Sequence, residues 1–243
     1  MRLLDLFCGA GGSAKGYQKA GFYVVGVDNK PQPHYCGDEF HQADALTYPL
    51  DGFDVIHASP PCQKYSKARH LHKNNDHPDL IGPTRERLKQ WGGFYVIENV
   101  PGAPLLNPIK LCGSSFGIRV RRHRLFESNV FLFELECNHK WQNDSPLWSI
   151  RQRYGQIKTG ICYVFGHQET GQTVEDWKKA MGIDWMTRHE LSQAIPPAYT
   201  FFIGTQLMEI LKPKINVKKT KCGGQFYAGD WCRECAEAER CPL

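Results

Sequence analysis

Three short apolar runs in this chain each end in residues of the kind that line active sites. The first run, residues 2–7, leads into a glycine-rich turn. The second, residues 53–58, leads into Ser-Pro-Pro-Cys-Gln, and the third, residues 94–97, leads into Glu98. Two prolines of fixed φ hold Cys62 just past its run, so we expect its thiol to be presented rather than packed away. A nucleophile, an acid and a glycine-rich turn at strand ends are the parts of an enzyme that forms a covalent intermediate.

The spacing of apolar and polar stretches over residues 2–135 predicts an α/β fold. Short apolar runs alternate with amphipathic stretches, which is typical of a doubly wound parallel sheet covered by helices. The predicted strands lie at residues 2–7, 22–28, 53–58, 94–98 and 130–135. The predicted helices lie at residues 11–20, 83–91 and 187–211, the last interrupted by Pro196 and Pro197.

Composition sets limits on where the protein works. The 243 residues suit one α/β domain with a small appendage, and a hydrophobic content of 41% supports a full core. No apolar stretch approaches the roughly 18 residues of a membrane span, and the N-terminus has no signal-peptide core. We therefore expect a cytoplasmic protein with no membrane partner. A net charge of +5 permits a nucleic-acid partner, with an ordinary solvated surface as the alternative explanation.

An ordered set of motifs resembles that of the DNA (cytosine-5) methyltransferases. The set consists of DLFCGAGG at 5–12, acids at Asp28 and Asp44, PPCQ at 60–63, ENV at 98–100 and RRHR at 121–124, with a weaker tail from Arg188 to about Leu211. The resemblance implies a Rossmann-like sheet that uses S-adenosylmethionine to methylate C5 of a cytosine in double-stranded DNA. Family members that act on tRNA share these motifs, so an RNA cytosine-5 methyltransferase is an alternative. A non-catalytic DNA-binding relative is another.

The glycine-rich turn is the predicted cofactor site. Glycines let the backbone approach a ligand closely, and Asp28 at the end of the second strand is placed for ribose hydroxyls. Taken alone, the pattern also fits a nicotinamide dinucleotide fingerprint. The resemblance assigns S-adenosylmethionine to Phe7, Gly9, Ala10, Gly12, Asp28, Asn29, Asp44, Ala45 and Pro60. Asn29 departs from the family, which often has a large apolar residue there against the adenine.

The resemblance also implies the catalytic groups. Cys62 would add to C6 of cytosine and make C5 nucleophilic, while Glu98 would bind N3 and the N4 amino group. Arg122 and Arg124 would hold the cytosine O2 and orient Glu98. The alternatives are a buried structural cysteine, a surface glutamate and a phosphate-facing basic patch. Val120 stands where the family has Gln, and Thr205 stands where its late motif often has Asn.

The segment after Cys62 is the predicted DNA contact. The target base must leave the duplex, and the loop over residues 64–75 is rich in basic and polar residues, as suits a lid over DNA. An ordinary surface loop is the alternative. The resemblance implies DNA contacts by Gln63, Ser66, Lys67 and Arg69.

Domain boundaries follow from changes of character along the chain. Residues 1–126 with 185–211 form the predicted catalytic domain, residues 127–184 a small irregular target-recognition region, and residues 212–243 a basic linker with a zinc-binding appendage. The proposed zinc ligands are Cys222, Cys232, Cys235 and Cys241, which include a Cys-x-x-Cys pair. A weaker metal candidate joins Cys137 and His139 with Cys162 or His167. We expect a monomer in a bacterial or phage-infected cell.

Overall fold

A seven-stranded sheet organises the part of the chain that carries the motifs. The computed structural model describes residues 1–65, 77–144, 148–152, 155–164 and 172–212. The strands are β1 (Arg2–Leu6), β2 (Tyr23–Asp28), β3 (Glu39–Gln42), β4 (Val55–Ala58), β5 (Phe94–Asn99), β6 (Ile109–Leu111) and β7 (Arg124–Ser128). Their spatial order is β3-β2-β1-β4-β5-β7-β6. The fold is therefore mixed α/β, as the alternation of apolar runs predicted.

Strand direction brings the motifs to one edge of the sheet. The strands β1 to β5 pair in parallel, and β7 runs antiparallel to both β5 and β6. Leu6 lies opposite Ala58, which in turn lies opposite Ile97. Because this register aligns the carboxyl ends of β1, β4 and β5, the segments that follow them meet at the same edge.

The helices follow the predicted pattern for the crossovers and the C-terminal part. They are α1 (Gly12–Lys19), α2 (Ile81–Trp91), α3 (His139–Asp144), α4 (Val174–Met181), α5 (Arg188–Gln193) and α6 (Pro197–Leu211), with a 3₁₀ turn at Gly113–Phe116. An antiparallel hairpin of β8 (Trp148–Gln152) and β9 (Gly155–Thr159) lies between α3 and α4. The predicted interruption falls between α5 and α6, where Pro197 occupies the first turn of α6 and needs no N–H partner there.

The strand predicted at residues 130–135 is wrong. The apolar run over residues 130–133 resembles a strand, but the strand lies earlier, at Arg124–Ser128. Asn129 ends it, because its side chain accepts from the Tyr95 N–H and donates to the Gly93 carbonyl. Beyond that point Leu132 is buried, whereas Phe131 and Phe133 are 76% and 65% exposed. The short strands β3 and β6 carry few apolar residues and were not predicted.

Two groups of buried side chains can be distinguished within the core of the described residues. One lies against the central strands and is built from residues such as Leu4, Val25, Ile56, Ile97 and Leu88. The other joins the segment before β7 to the helices α4 and α5, and is built from residues such as Val120, Cys162, Trp177, Met181 and Leu191. The central strands are apolar on both faces because helices cover both sides of a parallel sheet.

Residues 1–207 form one compact unit, and residues 208–243 are assigned to a second. Of the second unit, the structure describes only the end of α6 and Lys212. None of the described helices is long and apolar enough to cross a membrane. The domain boundaries given by the sequence remain a prediction.

Candidate active site at the carboxyl edge of the sheet

Cys62, Glu98 and Arg124 meet at the ends of neighbouring strands. Cys62 follows β4 by four residues and is half-buried, Glu98 lies near the end of β5 and is buried, and Arg124 opens β7. Arg124 Nε lies 2.9 Å from Glu98 Oε1, which makes an ion pair although the angle does not give an aligned hydrogen bond. The antiparallel pairing of β5 with β7 brings these two side chains together.

The electrostatics of the site act on the thiol and the carboxyl together. Burial raises the pKa of the Cys62 thiol, the charge of Glu98 adds to this, and Arg124 and Arg122 oppose it. Burial also raises the pKa of Glu98, against the same two arginines and a hydrogen bond from Ser59. Glu98 is therefore easier to protonate than an exposed carboxyl, and in that form it can donate a hydrogen bond to a ligand.

Arg122 is held from several sides. Its Nη1 donates to the Val164 carbonyl at 2.7 Å and its Nη2 to the Ser192 carbonyl. The Tyr199 hydroxyl donates to the Arg122 carbonyl at 2.7 Å. Burial lowers the pKa of the guanidinium to about 9. The buried Nε finds no acceptor among the described residues, so one donor of the fork is available to a ligand.

Arg121 lies outside this group and faces α3. It donates to Gln142 Oε1 at 3.1 Å, to the His139 carbonyl at 3.2 Å and to the Asn143 side chain. The buried Gln142 in turn donates to the Ile118 carbonyl at 2.8 Å. The three arginines of the motif thus have three different environments, and a single phosphate-facing patch does not describe them.

A chain of hydrogen-bonded polar side chains connects α1 to Glu98 through β4. The Tyr17 hydroxyl lies 2.9 Å from His57 Nδ1, and His57 Nε2 lies 2.8 Å from Ser59 Oγ. Ser59 then hydrogen-bonds Glu98. Burial lowers the pKa of His57 to about 3, so the ring is neutral. Hydrogen bonds on both of its nitrogens can therefore fix the orientation of the neighbouring side chains. Sequence reasoning missed this chain, although a histidine inside an apolar strand was its signal.

The turn after β1 exposes backbone in the way a cofactor requires. Phe7 has a φ of 61°, Gly9 of 50° and Gly11 of 84°, and such positive values suit glycine and strain phenylalanine. The Gly9 N–H donates to Asp28 Oδ2 at 3.1 Å. A Cβ at Gly9 would meet no atom within 4 Å, so the backbone there is open to a ligand.

Two other residues of the turn are engaged with the protein. A Cβ at Gly12 would lie 2.6 Å from the Ile195 carbonyl oxygen, so this glycine allows the C-terminal part of the chain to pack closely. Ala10 is buried, and its carbonyl accepts from Trp185 Nε1 at 3.0 Å. The sequence predicted ligand contacts at both positions, but it did not predict these packing contacts.

The remaining predicted cofactor residues surround the same edge. Asp28 Oδ1 accepts from the Lys30 N–H at 3.0 Å, which leaves further lone pairs for hydroxyl groups. Asn29 is exposed, and so is Asp44, whose Oδ1 accepts from the Leu46 N–H at 2.9 Å. Ala45 is buried, and its carbonyl accepts from Arg87 at 2.9 Å. The Pro60 carbonyl accepts from Asn99 Nδ2 at 2.9 Å. The open backbone and the free acceptors fit a ligand with ribose hydroxyls.

The predicted DNA contacts and zinc ligands lie largely outside the described residues. Ser66, Lys67 and Arg69 do, and so do Cys222, Cys232, Cys235, Cys241 and His167. Gln63 is half-buried, and its Oε1 finds no hydrogen-bond donor among the described residues.

The second metal site predicted from the sequence, at Cys137 and His139, has other neighbouring ligands than we expected. Cys137 and His139 do lie together, but they lie beside Cys112 and His123. Cys162 is instead buried in the core group around Trp177.

Comparison with known proteins gives the fold and a family match for the N-terminal part of the chain. A DNA modification methyltransferase assigned to an E. coli prophage matches with a TM-score of 0.58 at 16% identity, over 88% of this chain and 100% of that one. The S. pombe Dnmt2 methyltransferase matches with a TM-score of 0.58 at 14% identity, over 87% of this chain and 99% of that one. The fold is thus that of Rossmann-like methyltransferases.

The sequence match is strongest in the N-terminal part. The type II methyltransferase M.FnuDI of Fusobacterium nucleatum is 30% identical over 113 residues, which is 42% of this chain and 33% of that protein. The chain therefore spans about a third of that curated relative. Residues 1–103 match the family model of C-5 cytosine-specific DNA methylases. The resemblance drawn from the motifs is confirmed.

Proposed function

We propose that this protein transfers a methyl group from S-adenosylmethionine to C5 of a cytosine in double-stranded DNA, through a covalent bond to Cys62. The convergence of Cys62, Glu98 and Arg124 beside an open cofactor turn carries the proposal. A thiol, a protonatable buried carboxyl and a guanidinium are the groups needed to add a nucleophile to an electron-poor ring.

Cys62 would act as the nucleophile. Its thiolate forms a bond to C6 of the cytosine, and the electron pair displaced from the C5–C6 double bond is drawn toward N3. Glu98 in its protonated form donates a hydrogen bond to N3 and so favours that shift. The ring becomes an enamine with a nucleophilic C5. After C5 has accepted the methyl group, its proton passes to a water, the electron pair restores the C5–C6 double bond, and the C6–S bond breaks to restore the thiolate.

The arginines and the buried polar chain would hold Glu98 for this role. Arg124 pairs with Glu98 Oε1, and Ser59 contacts the same carboxyl from the side of His57. Arg122 offers the unpartnered Nε to the cytosine O2. Because each group is fixed by protein contacts, little reorganisation is needed when the base enters.

S-adenosylmethionine, when bound, supplies an electrophilic methyl group on a sulfonium. Gly9 would present open backbone to it, and Asp28 would accept from its ribose hydroxyls. Asp44 would accept from the adenine amino group. Since Asn29 is exposed and polar, it offers little apolar cover to the adenine.

Double-stranded DNA is the proposed partner, bound by a monomer. The base must leave the helix at a cost of about a few kcal/mol, and the segment from Gln63 through Ser66, Lys67 and Arg69 would close over the strand. Recognition would come from residues 127–184. The four C-terminal cysteines would hold a structural zinc in the appendage at residues 212–243.

Trapping on a fluorinated substrate tests the proposal. The protein is incubated with S-adenosylmethionine and a duplex of several kilobases made with 5-fluorocytosine, so that every short recognition site is present. Fluorine at C5 blocks the final elimination, so the adduct should persist. We expect mass spectrometry to find one methylated nucleotide bonded to Cys62.

Two variants and one substrate change make the result decisive. Cys62→Ser should give no adduct, and Glu98→Gln should slow adduct formation by about 10²–10⁴-fold. An adduct on 5-fluorocytosine RNA but not on DNA would replace the proposal with an RNA methyltransferase. If no adduct forms on either substrate although the cofactor binds, the result would favour a non-catalytic relative.

A further inference from the structure

Four side chains able to bind a metal converge at one point, and one of them is the histidine of the RRHR motif. Cys112 follows β6, His123 precedes β7, and Cys137 and His139 lie on the segment that enters α3. The ligand atoms of these four residues all lie within 4.8 Å of one another. Three separate segments of chain supply them, so sequence proximity does not explain the cluster.

The distances agree with tetrahedral coordination. Cys112 Sγ lies 3.3 Å from His139 Nε2, and Cys137 Sγ lies 3.4 Å from His123 Nε2. Around a tetrahedral zinc with Zn–S of about 2.3 Å and Zn–N of about 2.05 Å, sulfur and nitrogen ligands are about 3.5 Å apart. A weak hydrogen bond could account for either pair alone, but not for the convergence of both pairs on one point.

We propose that Cys112, His123, Cys137 and His139 bind a structural Zn²⁺. Two thiolates with two imidazoles in a tetrahedral arrangement select zinc among the common divalent metals. The two thiolates would neutralise the charge of the ion, so the complex could remain next to Arg121, which contacts the His139 carbonyl. Four protein ligands leave no open position, which marks a structural rather than a catalytic site.

Contacts around the ligands support the assignment. Cys112 is fully buried, and Ser114 Oγ donates to its sulfur at 3.1 Å, as a second layer around a metal thiolate would. Ser114 Oγ also accepts from the Asn138 N–H at 3.0 Å, between the Cys137 and His139 ligands. The other three ligands are half-buried, which leaves a path for the ion to enter.

The site would fix the backbone that carries the catalytic arginines. His123 stands between Arg122 and Arg124, and its carbonyl accepts from Arg124 Nη1 at 2.9 Å. Binding of the His123 ring to zinc would tie this segment to the chain that leads into α3. The zinc assignment does not depend on the proposed methyltransferase activity, but this consequence for Arg124 does.

Zinc content of the full-length protein tests the site. The C-terminal cysteines are a second proposed zinc site, so the test is made on a Cys232→Ser/Cys235→Ser background. On that background we expect about one zinc per chain by mass spectrometry of the metal, after dialysis against a weak chelator. Adding Cys137→Ser and His139→Ala should remove it. Adding Cys36→Ser, at a half-buried thiol outside the cluster, should leave it in place.

X-ray absorption on the same background provides a readout that does not need the ligand variants to fold. Zinc coordinated by two sulfur and two nitrogen atoms would support the proposal. Three outcomes would overturn it: no zinc on this background, zinc with four sulfur ligands, or a disulfide between Cys112 and Cys137 in the isolated protein.

Discussion

Asp5 shows how a single residue of the motif can set the response of the protein to pH. It is fully buried near the end of β1, and its Oδ2 accepts from Ser13 Oγ at 2.6 Å. Burial raises its pKa from 3.8 to about 7, the Ser13 bond opposes this, and the charges of Asp28 and Glu98 add to it. Oδ1 finds no donor among the described residues, which agrees with a protonated carboxyl at that position.

We predict that the free energy of unfolding falls as pH rises from about 4 to about 7, because Asp5 loses its proton more readily in the unfolded chain. Its pKa is higher in the folded than in the unfolded chain, so its contribution is complete below the unfolded value and is lost toward the folded one. Asp5→Asn keeps the shape of the neutral carboxyl and cannot ionise, so it should abolish this fall of about a few kcal/mol in the free energy of unfolding. Urea unfolding at several pH values measures it.

The comparison between variants isolates Asp5 from other groups. His57 has a lowered pKa of about 3 and acts in the opposite sense, losing its stabilisation as pH falls below about 6.5. The contribution of His57 is the same in the native protein and in Asp5→Asn, so it cancels when their free energies of unfolding are subtracted. Asp51→Asn, at an exposed loop position, serves as the control. Parallel stability curves for the native protein and Asp5→Asn would contradict the prediction.

The contact between the helices α1 and α6 depends on glycines that leave no room for a side chain. A Cβ at Gly16 would lie 2.0 Å from Thr200 Oγ1 and 2.2 Å from the Pro197 carbonyl oxygen. A Cβ at Gly204 would lie 2.7 Å from that of Ala20. The two helices therefore approach through glycines, and Thr200 Oγ1 donates across the contact to the Ser13 carbonyl at 2.8 Å.

Gly16→Ala should destabilise the protein although alanine is the better helix former. Overpacking of a close contact costs about 1–3 kcal/mol, and because backbone lies against the new methyl group we expect this to exceed the gain of about 1 kcal/mol in helix propensity. Lys19→Ala introduces the same residue at an exposed position of the same helix and should change stability by less than about 0.5 kcal/mol. Denaturant unfolding compares them. Equal stability of Gly16→Ala and the native protein would refute the close packing.

At the scale of the molecule, the C-terminal part of the first unit completes the fold of the N-terminal motifs. Tyr199, Ile203 and Leu207 of α6 are fully buried. The Ser192 carbonyl binds Arg122, and the Tyr199 ring stacks near Phe116 with centroids 5.2 Å apart. Residues 187–207 thus belong to the same folding unit as β1, despite the long separation along the chain.

We predict that a chain ending at residue 212 folds and that a chain ending at residue 186 does not. The shorter chain loses α5 and α6, leaving α1 and the Arg122 segment without their buried partners. Thermal unfolding by circular dichroism should be cooperative for the longer chain and absent for the shorter one. A cooperative transition in the chain ending at residue 186 would show that α6 is dispensable.

Much of the fold could be predicted from local patterns. The strands β1, β2, β4 and β5 are mostly apolar, and their boundaries agree with prediction to within about two residues. The edge strands β3 and β6 are only four and three residues long, which is too short to show a pattern in the sequence. The false strand at residues 130–135 is rich in apolar residues, but it pairs with no strand among the described residues.

The sequence by itself determined the class of the protein and the order of its motifs, because each motif is a short run attached to the end of one strand. Only the tertiary structure decided which side chains share a site. The joining of Cys112 and His123 to Cys137 and His139, and of Tyr17 and His57 to Glu98, depends on contacts between distant segments. Such contacts arise from strand order and helix packing, which no spacing along the chain encodes.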